Sequence, residues 1–306
     1  MRQATCQSLI NLYQASPFIF LTGDLGFMAL EPLREVMGGH FVNAGIAEQN
    51  MVSVAAGISS AGLQAWCYSI APFLYARAFE QIRNDVCLHN FDVKFIGNGG
   101  GYGYGSMGST HHALEDYGAL LTLQNMRAFI PAFADDLSMI IPRMSRIPHP
   151  AYLRLGRCEK PANFVLPEYA AWRKLLAGDG PVILVVGPVA GGIVNAFLNM
   201  DIKIRPEIWV LSELPLELNP PPGEFWGAVE RSQHLIVIEE HVMQGSAGQM
   251  MAHRLLTSGI HLQRFEHIHA KGYPSGCYGS QAFHRKECGM HPEDILKRIN
   301  DPRHCK

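Results

Sequence analysis

Short apolar runs alternate along the chain with longer stretches in which small, apolar and polar residues are mixed. The apolar runs predict β-strands at 18–22, 64–69, 93–96, 127–130, 151–155, 182–186, 207–211 and 235–238. The stretches between them predict helices, most clearly at 48–62, after Pro72 and at 192–198. Because parallel strands need long connections that cover the sheet, this alternation predicts the α/β fold class.

The predicted elements fall into two successive units. The 306 residues exceed the usual size of one domain, so two domains are the expectation from length alone. We predict a first domain over 1–165 and a second over 178–306, with a connector from about 159 to about 179. Each is expected to be a three-layer α/β domain.

Composition narrows the class of protein. Hydrophobic residues make up 48% and charged residues 17%, which suits a globular protein with large cores and contact surfaces. The net charge of −2 and the lack of a basic run argue against a nucleic acid or an anionic membrane as partner. The seven cysteines form no C-x-x-C pair, and no metal-ligand spacing is evident among the histidines, so we predict no metal site in this chain. With no signal peptide or membrane-length apolar run, a cytoplasmic location is the default expectation.

One acidic residue stands at the start of a helix rich in small residues. Glu48 follows Gly45-Ile46-Ala47 and precedes the run Val54-Ala55-Ala56-Gly57. The residues alone predict a buried acid near a helix N-terminus. It could serve chemistry, or it could be a structural helix cap.

A glycine-rich stretch, 97–108, follows the predicted strand 93–96. Its glycines allow close approach of backbone to a ligand, but the stretch lacks the G-x-x-x-x-G-K-[ST] pattern and the spacing of a dinucleotide-binding loop. It leads into Ser109-Thr110-His111-His112. His111 could donate to a substrate oxygen and move protons, or both histidines could be ordinary loop residues.

The segment Gly45-Ile46-Ala47-Glu48-Gln49-Asn50 resembles the G-I-A-E-Q-N/H block of transketolases and deoxyxylulose-phosphate synthases, which depend on thiamine diphosphate. The order of elements over essentially the whole chain is similar to a transketolase pyrimidine-binding domain plus its C-terminal domain. In that family the glutamate contacts N1′ of the cofactor's aminopyrimidine ring. The resemblance therefore implies a catalytic, cofactor-binding Glu48, with Ile46 beside it.

The same resemblance implies further cofactor contacts. Phe73 matches the family's aromatic residue that stacks on the aminopyrimidine, and Ile70 stands where the family has another aromatic. Asp24 matches the aspartate of an Asp-Leu pair near the cofactor. The competing interpretations are a core phenylalanine and a turn-forming aspartate.

For the substrate, the resemblance implies His111 as a catalytic, substrate-contacting histidine and Arg157, more loosely Arg2, as contacts for an anionic end. Each arginine could instead form a surface salt bridge. Gly99 and Met107 align with a substrate-contacting histidine and a hydroxyl-reading aspartate of the family, and 26–27 offers no match for its phosphate-contacting serine. Since buried polar partners supply specificity, we expect an altered substrate.

The family's domain that binds diphosphate and metal has no counterpart here. Gly178-Asp179-Gly180 resembles its Gly-Asp-Gly, but no Asn-Asn pair follows at the required distance, so we interpret the triplet as a turn. The resemblance therefore implies one subunit of a split enzyme of carbohydrate metabolism that transfers a two-carbon ketol unit. A partner chain would hold Mg²⁺ and the diphosphate in an α2β2 heterotetramer.

Three alternatives stay open. A catalytically silent regulatory or scaffold subunit belongs to a different class from an enzyme. Deoxyxylulose-phosphate synthases are usually longer single chains. The β subunit of 2-oxoacid dehydrogenases has a similar size but lacks the A-E-Q-N-M wording around Glu48.

Overall fold

The structure is a computed structural model that describes residues 1–26 and 28–300. Its strands, in chain order, are β1 (Ile19–Thr22), β2 (Phe41–Asn43), β3 (Ala65–Ile70), β4 (Val93–Asn98), β5 (Arg127–Phe129), β6 (Ala151–Leu155), β7 (Trp172–Leu176), β8 (Val182–Val186), β9 (Glu207–Leu211), β10 (Glu213–Leu214), β11 (His234–Glu239) and β12 (Arg264–Ile268).

The α-helices of the described residues are α1 (Arg2–Ala15), α2 (Glu31–Met37), α3 (Glu48–Ser60), α4 (Ala71–Tyr75), α5 (Phe79–Gln81), α6 (Asp116–Leu120), α7 (Leu137–Arg146), α8 (Ala190–Phe197), α9 (Gly223–Ser232), α10 (Ala247–Ser258), α11 (Gln281–Glu287) and α12 (Pro292–Ile299). Within that part of the chain, no helix combines the length and apolarity that a membrane crossing requires.

The first sheet has seven strands in the order β10-β5-β6-β4-β3-β1-β2. Its strands are parallel except β10, which comes from later in the chain and pairs antiparallel with β5 at the edge. Apolar residues of α1, α2 and α7 pack in one buried cluster on this sheet, and those of α3 pack in another. The sheet is therefore covered by helices on both faces.

The second sheet has five strands in the order β12-β11-β8-β9-β7. Helices α8 and α12 contribute to one apolar cluster of this sheet, and α9 and α10 contribute to another, which also includes α3 of the first unit. These two covered sheets confirm the predicted α/β class and its two three-layer units. The boundaries 1–165 and 178–306 stay a prediction.

The connector expected over about 159–179 is wrong in part, because β7 lies inside it. This strand pairs antiparallel with β9, and its residues Trp172, Leu175 and Leu176 are buried. The polar residues Arg173 and Lys174 interrupt its apolar pattern, so periodicity alone does not indicate the strand. The helix expected after Pro72 is also interrupted: α4 ends at Tyr75, and α5 continues as a π-helix over Ile82–Cys87.

The carboxyl ends of the central strands lie side by side. Ile70 of β3 is in register with Asn98 of β4, which is in register with Leu155 of β6. The segments that follow these strands begin with Ala71, Gly99 and Gly156, so they start at one edge of the sheet. In open α/β sheets, ligands bind at this edge.

Candidate active site

Glu48 begins α3, and its side chain is buried, with 5% exposed. Two donors reach its carboxylate. The Ser69 hydroxyl, at the end of β3, donates to Oε1 at 3.1 Å, and Arg77 Nη1 donates to Oε2 at 3.2 Å. The predicted burial of the acid is therefore confirmed, but its surroundings are polar as well as apolar.

Phe73, on α4, is linked to Glu48 by the same arginine, Arg77. The guanidinium carbon of Arg77 stands 3.9 Å from the centre of the Phe73 ring, which is a cation–π contact. Arg77 is 48% exposed, so it covers the corner from the solvent side. Glu48, Ser69, Phe73 and Arg77 form a group that we call the glutamate corner.

His111 connects the glutamate corner to the glycine-rich loop. Its ring makes edge-to-face contacts with Phe73, at a centroid distance of 5.2 Å, and with Tyr104, at 5.7 Å. Its Nδ1 lies 2.9 Å from the Thr110 hydroxyl. The structure thus brings Glu48, Phe73 and His111 into one neighbourhood, and their roles stay a prediction.

Tyr104 also lines a cleft of about 680 Å³. Its lining includes both predicted arginines and Gly99, together with Asn98 and Tyr104. Arg2 interacts with the hydroxyl of Tyr68: burial raises the pKa of Tyr68 to about 12, and Arg2 opposes that rise. Arg157 is exposed. The lining of the cleft therefore carries two cationic side chains, Arg2 and Arg157, and one acidic side chain, Glu159.

Gly99 has a positive φ of 81°, and a Cβ there would collide with the Tyr104 ring. A histidine cannot return to this position unless Tyr104 moves. Met107 lies in a 3₁₀ turn over Gly105–Met107 and is 54% exposed. Met107 is not among the described residues that line the cleft.

The remaining predicted residues are spread along the same edge. Ile70 is half-buried at the end of β3, and Ile46 is 83% exposed in the segment that leads into α3. Asp24 lines a second pocket of about 260 Å³ with Thr22, Arg34 and Asn43, and its Oδ1 accepts from Asn43 Nδ2 at 3.1 Å. Asp24 is therefore separate from the large cleft. Phe27, next to this pocket in sequence, lies outside the described residues.

His112 has a different environment from its neighbour His111. It is buried, and its Nε2 lies 2.8 Å from the carbonyl of Gly105, while its Nδ1 lies 2.8 Å from the Tyr273 hydroxyl. Since a carbonyl only accepts, Nε2 donates and Nδ1 accepts from the phenol. Burial, the largest influence, lowers the pKa of His112, which favours this neutral form.

The carboxy-terminal half of the chain holds the loop at further points. Tyr102 stacks on His284 at 4.8 Å, and its hydroxyl donates to the carbonyl of Gly272 at 2.8 Å. The hydroxyls of Ser109 and Tyr278 lie 3.1 Å apart. We call these contacts and the His112–Tyr273 pair the loop brace.

Two residues that sequence reasoning missed stand at the centre of this arrangement. Arg77 follows Phe73 by four residues, a spacing that puts side chains on one face of a helix, and this could have indicated the contact. Tyr104 is one of two aromatic residues in the glycine-rich loop, and its large ring between glycines was a second signal.

Known proteins share both the sequence pattern and the fold of this chain. The family model of the transketolase pyrimidine-binding domain matches residues 1–161. A subunit of the apulose-4-phosphate transketolase of Actinobacillus succinogenes is 29% identical, over 87% of this chain and 86% of that protein. The 1-deoxy-D-xylulose-5-phosphate synthase 2 of Geobacter sulfurreducens is 30% identical, over 91% of this chain and 44% of that protein.

A solved structure described as a split gene transketolase in an inactive β4 tetramer superposes with a TM-score of 0.80. It is 25% identical, and the match covers 97% of this chain and 96% of that one. The chain belongs to the transketolase pyrimidine-binding domain family, whose members are thiamine-diphosphate-dependent. Its length and fold are those of the pyrimidine-domain subunit of a split transketolase-like enzyme.

Proposed function

We propose that this chain forms, with a separate pyrophosphate-binding subunit, an enzyme that moves a two-carbon ketol unit from a ketose-type donor to an aldehyde. The proposal rests on the buried carboxylate of Glu48 and on two rings near it. Arg77 contacts both Glu48 and the ring of Phe73, and Phe73 in turn contacts the ring of His111. When bound, thiamine diphosphate would supply the carbon nucleophile that this chemistry needs.

The glutamate corner fits the aminopyrimidine ring of that cofactor. A carboxylate has about four lone-pair sites, and the donors Ser69 and Arg77 use one on each oxygen of Glu48. Glu48 can therefore still share a proton with a ring nitrogen. Phe73 would stack on the ring once the Arg77 guanidinium leaves its face. Ile70, Ile46 and Asp24 are proposed as more peripheral contacts.

His111 would exchange protons with the substrate's oxygens. It lies between Phe73 and Tyr104, so it is next to the place proposed for the reacting ring and also next to the cleft. An imidazole ring can both accept and donate a proton, and this suits both directions of proton transfer.

The cleft would take the anionic end of the donor. Arg2 and Arg157 both line it, and a guanidinium can bind a phosphate through two hydrogen bonds. The relatives named as apulose-4-phosphate transketolase subunits support a ketose phosphate as substrate class. Gly99, and the position of Met107 outside the cleft, support a substrate that differs from the usual ones.

The partner subunit would bind Mg²⁺ and the diphosphate. The names of the relatives support a separate partner, since one is named as a subunit of its enzyme and another is an inactive β4 tetramer of a split-gene transketolase. Two copies of each chain form a closed symmetric assembly, so we propose an α2β2 heterotetramer.

The test is a calorimetric titration of thiamine diphosphate and Mg²⁺ into this chain alone and into the complex with its partner. We expect binding by the complex, weakened at least about tenfold by Glu48→Gln or Phe73→Ala because each removes a contact to the ring. Glu230→Gln, an exposed acid on α9, is the matched control. Absence of binding in the complex would favour a silent scaffold subunit.

Synthesis of 1-deoxy-D-xylulose 5-phosphate is a second candidate function. It is favoured by the 28–30% identity to such synthases over about 90% of this chain. Turnover of apulose 4-phosphate and xylulose 5-phosphate by the complex, compared with a product assay for 1-deoxy-D-xylulose 5-phosphate, separates the two activities.

A further inference from the structure

Tyr104 lies between the two parts of the candidate site. Its ring meets His111 at 5.7 Å, and it also lines the cleft that contains Arg2 and Arg157. The ring packs where a side chain at Gly99 would otherwise stand. Tyr104 is therefore a residue of the glycine-rich loop that contacts His111 and also lines the cleft.

The hydroxyl of Tyr104 has a defined orientation. Asn98 Nδ2 donates to it at 2.7 Å, and an amide nitrogen cannot accept. The phenol therefore accepts this bond with a lone pair, and its own proton stays available for another acceptor. Burial raises the pKa of Tyr104, with Asn98 and Arg2 opposing the rise, so the phenol is a donor at neutral pH.

A phenol and a guanidinium select different oxygens. The guanidinium groups of Arg2 and Arg157 suit a charged oxygen, whereas an uncharged donor suits a hydroxyl or carbonyl oxygen. On this basis, and resting on the function proposed above, we propose that Tyr104 is a specificity-determining residue. It donates a hydrogen bond to one uncharged oxygen of the ketose phosphate, between the reacting carbon and the anionic end.

Asn98 then acts as a positioning residue, because its amide fixes the direction of the phenol proton. The site reads a sugar oxygen with a tyrosine, while Ser106 and Met107 are exposed on the loop. A site built to hydrogen-bond a substrate hydroxyl discriminates strongly against an analogue that lacks it.

The test uses Tyr104→Phe in the assembled two-subunit enzyme, with apulose 4-phosphate and xylulose 5-phosphate as probes. Phenylalanine keeps the ring against Gly99 and His111 and removes the donor. We expect kcat/KM for the preferred probe to fall at least about tenfold, with the Kd of thiamine diphosphate unchanged. Tyr13→Phe, whose hydroxyl lies 2.8 Å from His40 Nδ1, is the control and should match wild type.

Mono-deoxy analogues of the preferred probe identify the oxygen. For one analogue, kcat/KM of the wild-type enzyme should be about tenfold lower than for the preferred probe. Tyr104→Phe should turn over that analogue and the preferred probe with the same kcat/KM, because the two changes remove the same hydrogen bond. A kcat/KM of Tyr104→Phe within about twofold of wild type overturns the inference. So does a wild-type complex that binds thiamine diphosphate but neither probe. A complex that does not bind thiamine diphosphate overturns the proposed function instead, and the inference falls with it.

Discussion

The glutamate corner and the loop that carries His111 are neighbours, yet they are held in different ways. Glu48, Ser69, Phe73 and Arg77 all come from a stretch of about thirty residues in the first unit, and Arg77 keeps 48% of its side chain exposed. The loop, by contrast, is fastened to residues from 272 to 284, far along the chain.

This difference indicates which part of the site is complete in this chain. The loop brace holds the loop through residues of this chain alone, since part-buried hydrogen bonds and stacked rings join it to Gly272, Tyr273 and His284. The glutamate corner is capped from the solvent by one half-exposed arginine, a contact that a partner subunit or a cofactor can replace. We infer that assembly with the partner changes the corner more than it changes the loop.

The largest expected effect comes from Glu48→Gln, which tests whether the corner carries chemistry. The amide keeps the shape of the side chain but cannot accept a proton as the carboxylate does. We expect kcat of the assembled enzyme to fall by about 10²–10⁴-fold, the usual contribution of proton transfer by a side chain. Steady-state kinetics of the complex measure it, and Glu230→Gln should leave kcat unchanged.

His111 and His112 offer a matched pair for the second prediction. His112→Ala removes the partners of the Gly105 carbonyl and the Tyr273 hydroxyl, so we expect the free energy of unfolding to fall by about 1–3 kcal/mol. His111→Ala should lower it by less than His112→Ala does, because His111 is only half-buried and its one side-chain hydrogen bond is exposed. Urea denaturation of this chain alone measures both values. Equal losses would mean that the two neighbouring histidines do not have the separate roles proposed for them.

The activities of the same two variants should run in the opposite order. His111→Ala should lower kcat of the complex about 10²-fold or more if this imidazole moves protons. His112 would then position the loop, and its half-buried neighbour His111 would serve the chemistry. An active His111→Ala enzyme would remove His111 from the proposed mechanism.

Much of the corner could be predicted from sequence because its signals are local. The strand ends and the start of α3 at Glu48 each depend on a few adjacent residues, whereas the role of Phe73 followed only from the family resemblance. The Arg77 contact, 29 residues from Glu48, required knowledge of where α4 ends. The His112–Tyr273 bond spans 161 residues, and nothing in either local pattern specifies its partner. Strand β7 was missed for a related reason, since its pairing with β9 outweighs its polar composition.

The stability of the loop brace should depend on pH because two of its histidines are buried. Burial lowers the pKa of His112 and of the neighbouring His284. The unfolded chain therefore binds more protons than the folded one as the pH falls below about 6.5, and stability is lost in that direction. Each histidine contributes a slope of at most about 1.4 kcal/mol per pH unit.

Urea denaturation from about pH 7.5 to about pH 5.5 measures that slope. His112→Gln should show a smaller slope than wild type because one titrating group has been removed from the brace. His253→Gln, an exposed residue of α10, is the control and should keep the wild-type slope. A slope that His112→Gln leaves unchanged would assign the pH dependence to other buried groups.

The smallest expected effect belongs to Arg77→Met, which tests most directly whether the glutamate corner is held less firmly than the loop. In the chain alone, this change removes the guanidinium that donates to Glu48 and covers Phe73, while the methionine still covers the ring. Half-exposed ion pairs contribute little, so we expect the free energy of unfolding to fall by only about 0.5–1 kcal/mol. Arg83→Met, a change at an exposed arginine of the following π-helix, should leave it unchanged.

In the assembled complex the difference in unfolding free energy between Arg77→Met and wild type should shrink, because we expect the partner and the cofactor to cover the corner there. A difference that stays the same on assembly would mean that Arg77 is a fixed part of the corner, and the contrast with the loop brace would be lost.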